Sequence, residues 1–184
     1  MKKLLVVIDM QNDFIDGSLG TPEAQAIVPN VVREIKEYGA DGIIYTLDTH
    51  YNDYFNTLEG QKLPVPHCIL DSKGREINKE VWNALVEVHN PRNCGLYAIH
   101  KDTFGAHMNE WEDALDVDEF DLGEIEIIGL CTDVCVISNA LILRAMFPDT
   151  IIKVKADCCA GVTPESHKNA LNAMKMCQID VIGE

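Results

Sequence analysis

The sequence predicts a three-layer α/β/α protein built on a central, mostly parallel six-stranded sheet. Three observations predict it. Short apolar runs rich in β-branched residues alternate with segments whose apolar residues recur at helical spacing, the order of successive βαβ units. The runs are continuously apolar, as strands covered on both faces require. The chain has 184 residues, enough for one sizeable core and too few for two comfortable ones, so residues 1–184 are expected to form a single domain.

The first strand is Leu4 to Ile8. Lys2 and Lys3 before an apolar run imitate a secretion signal. Asp9 breaks that run, however, and no small-residue cleavage site follows, so the segment reads as a buried strand and a mature cytoplasmic N-terminus. A helix from Thr21 to Tyr38 follows, with Thr21 as cap, Pro22 in the first turn, and Ile27, Val31, Ile35 and Tyr38 on one face. Gly42 to Leu47 is the second strand. Asp48 to Arg75 has no clear periodicity, and a loop of that length in a compact domain is usually functional. Glu76 to His89 is helical, Leu96 to His100 a strand, and Met108 to Leu115 a short helix. Glu124 to Gly129 is the fourth strand, with Cys135 to Phe147 as its helix. Thr150 to Lys155 is the fifth strand. Thr163-Pro164-Glu165 opens a helix running to about Met176, and Ile179 to Ile182 is the sixth strand.

Composition narrows the function. A formal net charge of -15 argues against a nucleic-acid or anionic-membrane partner, and no apolar stretch is long enough to span a bilayer. The seven cysteines are odd in number and irregularly spaced, with no CxxC pair, which reads as reduced thiols and not as a disulfide framework.

In open α/β sheets the site lies beyond the carboxyl ends of the strands. Asp9, Asp48, His50, Lys101 and Cys131 to Cys135 fall there. Cys135 opens a helix, where free N–H groups and the macrodipole favour a thiolate and can hold an oxyanion; an arbitrary cysteine is more often a core residue. Asp9 needs a partner or a task at the end of a buried strand, unless it or Asp13 simply caps a loop. Lys101 taken alone is a common strand-end lysine. Together the three supply a proton acceptor, a cation and a nucleophile at one sheet edge. Asp48 and His50, two residues apart, and His67 in the same loop offer oxygen and imidazole donors suited to zinc, manganese or iron, or are polar loop residues.

The stretches VIDMQNDF, DTH, HKDTFGAH and GLCTDVCV, in this order and spacing along nearly the whole chain, resemble the isochorismatase-like cysteine hydrolases, the family that includes nicotinamidases. The resemblance implies a catalytic triad of Asp9, Lys101 and Cys135, with Cys135 forming a thioester. It also implies a cis Leu130–Cys131 peptide and an oxyanion hole from the backbone N–H groups of Cys131 and Cys135, so that Cys131 supplies backbone and not sulfur. It implies a divalent metal, zinc first with manganese or iron open, on Asp48, His50 and His67. Many relatives place a further histidine near Tyr54; this chain has none there, and Glu59 is taken as the remaining ligand. For the substrate pocket it implies Phe14, Leu63, Phe104 and Leu130. The aromatic residue expected shortly before the metal histidine is absent from Leu63-Pro64-Val65-Pro66, leaving Tyr54, Phe55 or Phe104 to complete the ring clamp. His100 and His107 are read as structural, Cys158 and Cys159 as packing, and His167 as exposed. The expected activity is hydrolysis of a small-molecule amide, nicotinamide first, by a homo-oligomer. The alternatives are a carbamoyl or acyclic amide, and a non-catalytic binding protein on the same fold.

Overall fold

The computed structural model describes residues 2–92, 94–115 and 122–184. In chain order the elements are β1 (Lys2–Ile8), α1 (Asn12–Ile15), α2 (Pro22–Glu37), β2 (Gly42–Asp48), α3 (Leu58–Lys62), α4 (Lys79–Arg92), β3 (Gly95–Lys101), α5 (Met108–Leu115), β4 (Leu122–Leu130), α6 (Ile137–Met146), β5 (Ile151–Ala160), α7 (Pro164–Met176) and β6 (Asp180–Ile182). The six strands form one sheet in the order β3-β2-β1-β4-β5-β6, and every pairing is parallel.

The periodicities explain the layers. Leu4 to Ile8 are at most 2 % exposed because β1 is central and covered on both faces. Burial of each such side chain contributes about 1.5–3 kcal/mol relative to exposure. One face packs on α2 and α4 through Ile27, Val31, Ile35, Val81 and Leu85. The other packs on α5, α6 and α7 through Trp111, Ala140, Leu143, Leu171 and Met174. Helix starts follow their cap chemistry: Thr21 Oγ1 accepts from the Ala24 N–H at 3.0 Å, and Thr163 and Ser166 form a reciprocal capping box at α7.

β5 runs five residues past the predicted end at Lys155. Its residues alternate, with Ile152, Val154 and Ala156 in the core and Lys155 and Asp157 paired with α2, so the apolar run is interrupted although the strand is not. The unpatterned Asp48 to Arg75 stretch contains a 3-10 turn at Tyr54–Asn56 and the short α3. The chain winds outward from β1 to β2 and β3, then returns to β4 on the other side. The crevice between the carboxyl ends of β1 and β4 is therefore the topological switch point. Gly129 sits there at φ 120°, where a Cβ would fall 2.1 Å from the Ile8 carbonyl oxygen, so glycine alone allows β4 to run this close to β1.

Candidate active site

Three strand ends and one helix start converge at the switch point. Asp9 follows β1 in the left-handed region at φ 44°. Thr46 of β2 holds it there: the Asp9 N–H donates to Thr46 Oγ1 at 3.0 Å, and that hydroxyl donates to Asp9 Oδ1 at 2.6 Å. Lys101 ends β3, and its Nζ lies 2.7 Å from Asp9 Oδ2, 3.6 Å from Cys135 Sγ and 3.5 Å from Asp48 Oδ1. Cys135 lies in a π-helical turn, Thr132–Val136, that leads into α6. The Leu130–Cys131 peptide is cis. Asp9, Lys101 and Cys135 are all buried.

Burial governs the protonation states. It pushes the Asp9 carboxyl up, and Lys101 pulls only part of the way back. It also opposes charge on Lys101, but the facing Asp9, Cys135 and Asp48 outweigh it and hold the ammonium protonated. The expectation of a thiolate at Cys135 is corrected. Burial, with Asp9 and Asp48 nearby, pushes this thiol well up despite Lys101. The resting site is a neutral thiol beside a lysine-paired carboxylate, so proton transfer has to accompany attack. Burial pushes the Cys131 thiol up to about 12 as well, and its sulfur is not activated.

A second cluster adjoins the first through Lys101. Asp48 Oδ2 lies 3.1 Å from His50 Nε2 and 3.4 Å from His67 Nε2, and Glu59 Oε1 lies 3.5 and 3.6 Å from the same two nitrogens. Asp48, His50 and His67 are buried and their donor atoms lie within 4.8 Å of one another. His67 directs Nδ1 at the Val65 carbonyl, 2.9 Å away, which leaves Nε2 as the donor. His50 Nε2 is buried with no hydrogen-bond partner. A buried nitrogen without a partner, facing two carboxylates and another imidazole nitrogen, fits a divalent cation.

Supporting residues to which the sequence reading gave no part in the site hold these groups. Gln11 Oε1 accepts the Asp48 N–H, and its Nε2 donates to the carbonyls of Asp48 and Arg75. Asp13 accepts the Cys68 N–H at 2.8 Å, tying the segment after His67 to the first motif. Asn139 donates to the carbonyls of Cys135 and Phe104 and accepts the Ala106 N–H. Thr132 Oγ1 pairs with His167 Nδ1 at 2.8 Å, so His167 is half-buried behind the nucleophile turn and not exposed on the last helix. Gln11 and Asp13 lie inside the quoted VIDMQNDF, and Asn139 lies four residues after Cys135. The position within a motif, or one turn away from it, was the available signal.

The cavity over Cys135 has a volume of about 190 Å³ and is largely apolar, with Phe14, Leu19, Leu63, Phe104, Val134 and Val162 in its walls and Asp48, Glu59 and His67 along one side. Leu130, expected here, is displaced: it is fully buried in the core beneath α2 and does not line the cavity, because side chains alternate across β4 and its own points to the α2 face. Of the three aromatic residues considered for the ring clamp, only Phe104 reaches the cavity. Tyr54 is buried against the rings of His50 and His67, at 4.8 and 5.3 Å, and donates to the Leu63 carbonyl; Phe55 is 55 % exposed. Cys158 and Cys159 are buried, and neither is in a disulfide.

Fold and site define a class, α/β proteins with a thiol, an acid and a lysine gathered at the switch point of a parallel sheet. Within that class, the chain belongs to the isochorismatase family, whose domain model matches residues 3–183. It is 25% identical over 193 residues to the nicotinamidase/pyrazinamidase of Mycobacterium tuberculosis, covering 98% of each chain. It superposes on the crystal structure of the nicotinamidase/pyrazinamidase PncA from Bacillus subtilis with a TM-score of 0.78 at 26% identity, covering 98% of this chain and 99% of that one. The N-carbamoylsarcosine amidase from Thermoplasma acidophilum is similar at 26% identity and a TM-score of 0.70, covering 98% of this chain and 95% of that one. Among the described residues no helix is long and apolar enough to cross a membrane.

Proposed function

We propose that the protein is an amide hydrolase acting on a carbon–nitrogen bond, one domain over residues 1–184, that converts nicotinamide and water to nicotinate and ammonia through a thioester on Cys135. The observation that carries this reading is Lys101 Nζ, held 2.7 Å from Asp9 Oδ2 and 3.6 Å from Cys135 Sγ beneath a ring-sized apolar cavity.

Asp9 takes the proton of the Cys135 thiol as Sγ attacks the amide carbon. The backbone N–H groups of Cys131 and Cys135 receive the oxyanion. The carbon–nitrogen bond then breaks, the amine leaves as ammonia with the proton from Asp9, and the acyl group stays on sulfur. Asp9 next accepts a proton from water as the water oxygen attacks the thioester. The carbon–sulfur bond breaks, and the proton returns to the thiol. Lys101 orients Asp9 and favours its ionised form before each proton transfer. Asp48, His50, Glu59 and His67 would hold a divalent metal, zinc first with manganese or iron open, and that metal would supply Lewis-acid chemistry.

A carbamoyl or acyclic amide is the second reading, favoured by the aliphatic Leu19, Leu63 and Val162 in the wall and by the similarity to the carbamoylsarcosine enzyme. Ammonia release from nicotinamide by metal-loaded protein tests the proposal. Release is expected to fall by about 10⁴-fold or more in Cys135→Ala with the fold intact. Undiminished release by that variant, or hydrolysis confined to carbamoyl or acyclic amides, overturns the nicotinamide assignment.

A further inference from the structure

The cavity over Cys135 does not end at its own walls. Glu59, Leu63 and Phe104 also line a second, larger groove of about 640 Å³, bounded by residues 49–63 on one side and by Asp102, Thr103 and Phe104 on the other. Several of its side chains are large, apolar and exposed: Leu58 at 68 %, Tyr51 at 56 % and Phe104 at 49 %. An exposed concave apolar surface continuous with a reaction cavity is a place for ligand. Drug-sized ligands occupy roughly 300–1,000 Å³. The reaction cavity alone falls below that range, and the groove falls inside it. Apart from the metal-type donors Glu59 and His50, the charged side chains of the groove are Asp53 and Asp102 against Lys62. That acidic balance repels anions, and with the net charge of -15 it opposes docking of a second copy of this chain.

We propose that this groove is a second substrate subsite, which takes an apolar, non-anionic extension on the acyl side of the amide; the inference rests on the amide-hydrolase reading. Leu63 and Phe104 form the threshold between the two spaces. The reacting carboxamide lies over Cys135, and the extension passes between these side chains onto Tyr51 and Leu58. The groove thereby widens the acceptable substrates beyond a single ring without altering the chemistry at the thiol.

The test measures binding by calorimetry to the metal-loaded Cys135→Ala protein, with turnover by the parent run alongside. The probes are nicotinamide, its butyl derivatives at each free ring carbon, and the same derivatives ending in a carboxylate. An acyclic pair, propionamide and heptanamide, is included. At least one butyl derivative is expected to bind about tenfold more tightly than nicotinamide, and its carboxylate-ended counterpart is expected to lose that gain. Leu58→Glu removes the gain and leaves nicotinamide binding unchanged; Leu58→Ala, which preserves helix propensity, removes part of it. The subsite is overturned if every extension weakens binding in both series, or if Leu58→Glu weakens short and long amides equally. It is also overturned if Leu58→Glu dissolves a dimer, because the groove is then an interface. Nicotinamide turnover is read separately: its failure alongside a gain for heptanamide over propionamide refutes the nicotinamide assignment and leaves the subsite standing.

Discussion

A buried and a half-buried cluster of acids and lysines lie on the same sheet, and they differ in what they face. At the carboxyl edge, Asp9, Asp48 and Lys101 surround Cys135 and open onto the reaction cavity. Further back on the α2 face, Glu34 and Tyr38 of α2 meet Glu124 and Glu126 of β4 and Lys153 and Lys155 of β5. Here Lys155 Nζ lies 2.5 Å from Glu34, Lys153 Nζ lies 2.6 Å from Glu124, and the Tyr38 hydroxyl donates to Glu124 at 2.8 Å. Glu126 is 3 % exposed with Oε1 unpartnered, and burial together with the neighbouring Glu34 carboxyl pushes it up to about 7. A displaced pKa therefore does not separate the two clusters. What does separate them is a nucleophile and a cavity at one, and packed helix over the other.

Replacing the lysine of each cluster breaks the comparison most strongly. Lys101→Met leaves Asp9 and Asp48 without their buried cation, and is expected to reduce amide turnover by about 10³-fold and to cost about 3–5 kcal/mol of stability. Lys155→Met removes a partly exposed partner, and is expected to cost about 1 kcal/mol with turnover unchanged. Urea unfolding and ammonia release on both variants check the pair; equal stability losses refute the contrast.

The next effect belongs to the donor set beside Lys101. His50→Ala removes one of four donors, and is expected to weaken zinc binding by about a hundredfold, measured by competition with a chromophoric chelator. Stripping metal with chelator should lower the melting temperature of the parent and leave that of the variant unchanged. Equal shifts in both proteins show that these residues hold no metal.

A pH dependence sharpens the second cluster. Glu126 ionises at about 7 in the folded protein and at 4.5 when free, so the unfolded chain gives up this proton first as pH rises. Its contribution to stability is complete below pH 4.5 and declines as pH rises through 7. The decline amounts to about 3 kcal/mol, with Glu34, Lys153 and Lys155 facing the group. Glu126→Gln should flatten the dependence and be the more stable protein at pH 8. Parallel stability profiles for parent and variant between pH 5 and 8 sink this reading.

The two clusters also differ in how well the sequence discloses them. Asp9, Asp48, His50, Lys101 and Cys135 follow apolar runs, so a linear reading finds them as polar punctuation after strands. Glu126 and Lys155 sit inside strands and face Glu34 of a helix more than a hundred residues from Lys155, and no local pattern pairs them. The same limit concealed Thr46, which is two residues before Asp48 yet serves Asp9, and His167, which reaches back 35 residues to Thr132. Leu130 was misplaced because nothing in its own neighbourhood states which face of β4 looks into the cavity.

By itself the sequence determined the order of strands and helices, their caps, and the chemical groups that fall after the strands. Those features arise from interactions within a few residues: the two-residue and 3.6-residue periods, proline and threonine at helix starts, and β-branched runs. The tertiary structure alone decided that β1 and β4 lie side by side, that the donor atoms of Asp48, His50 and His67 come within 4.8 Å of one another, and that the reaction cavity shares Glu59, Leu63 and Phe104 with a second groove. It also decided that the Cys135 thiol rests protonated. A helix start taken alone favours a thiolate, but the cost of burying the charge is set by every segment that closes over the sulfur, and those segments are distant in the chain.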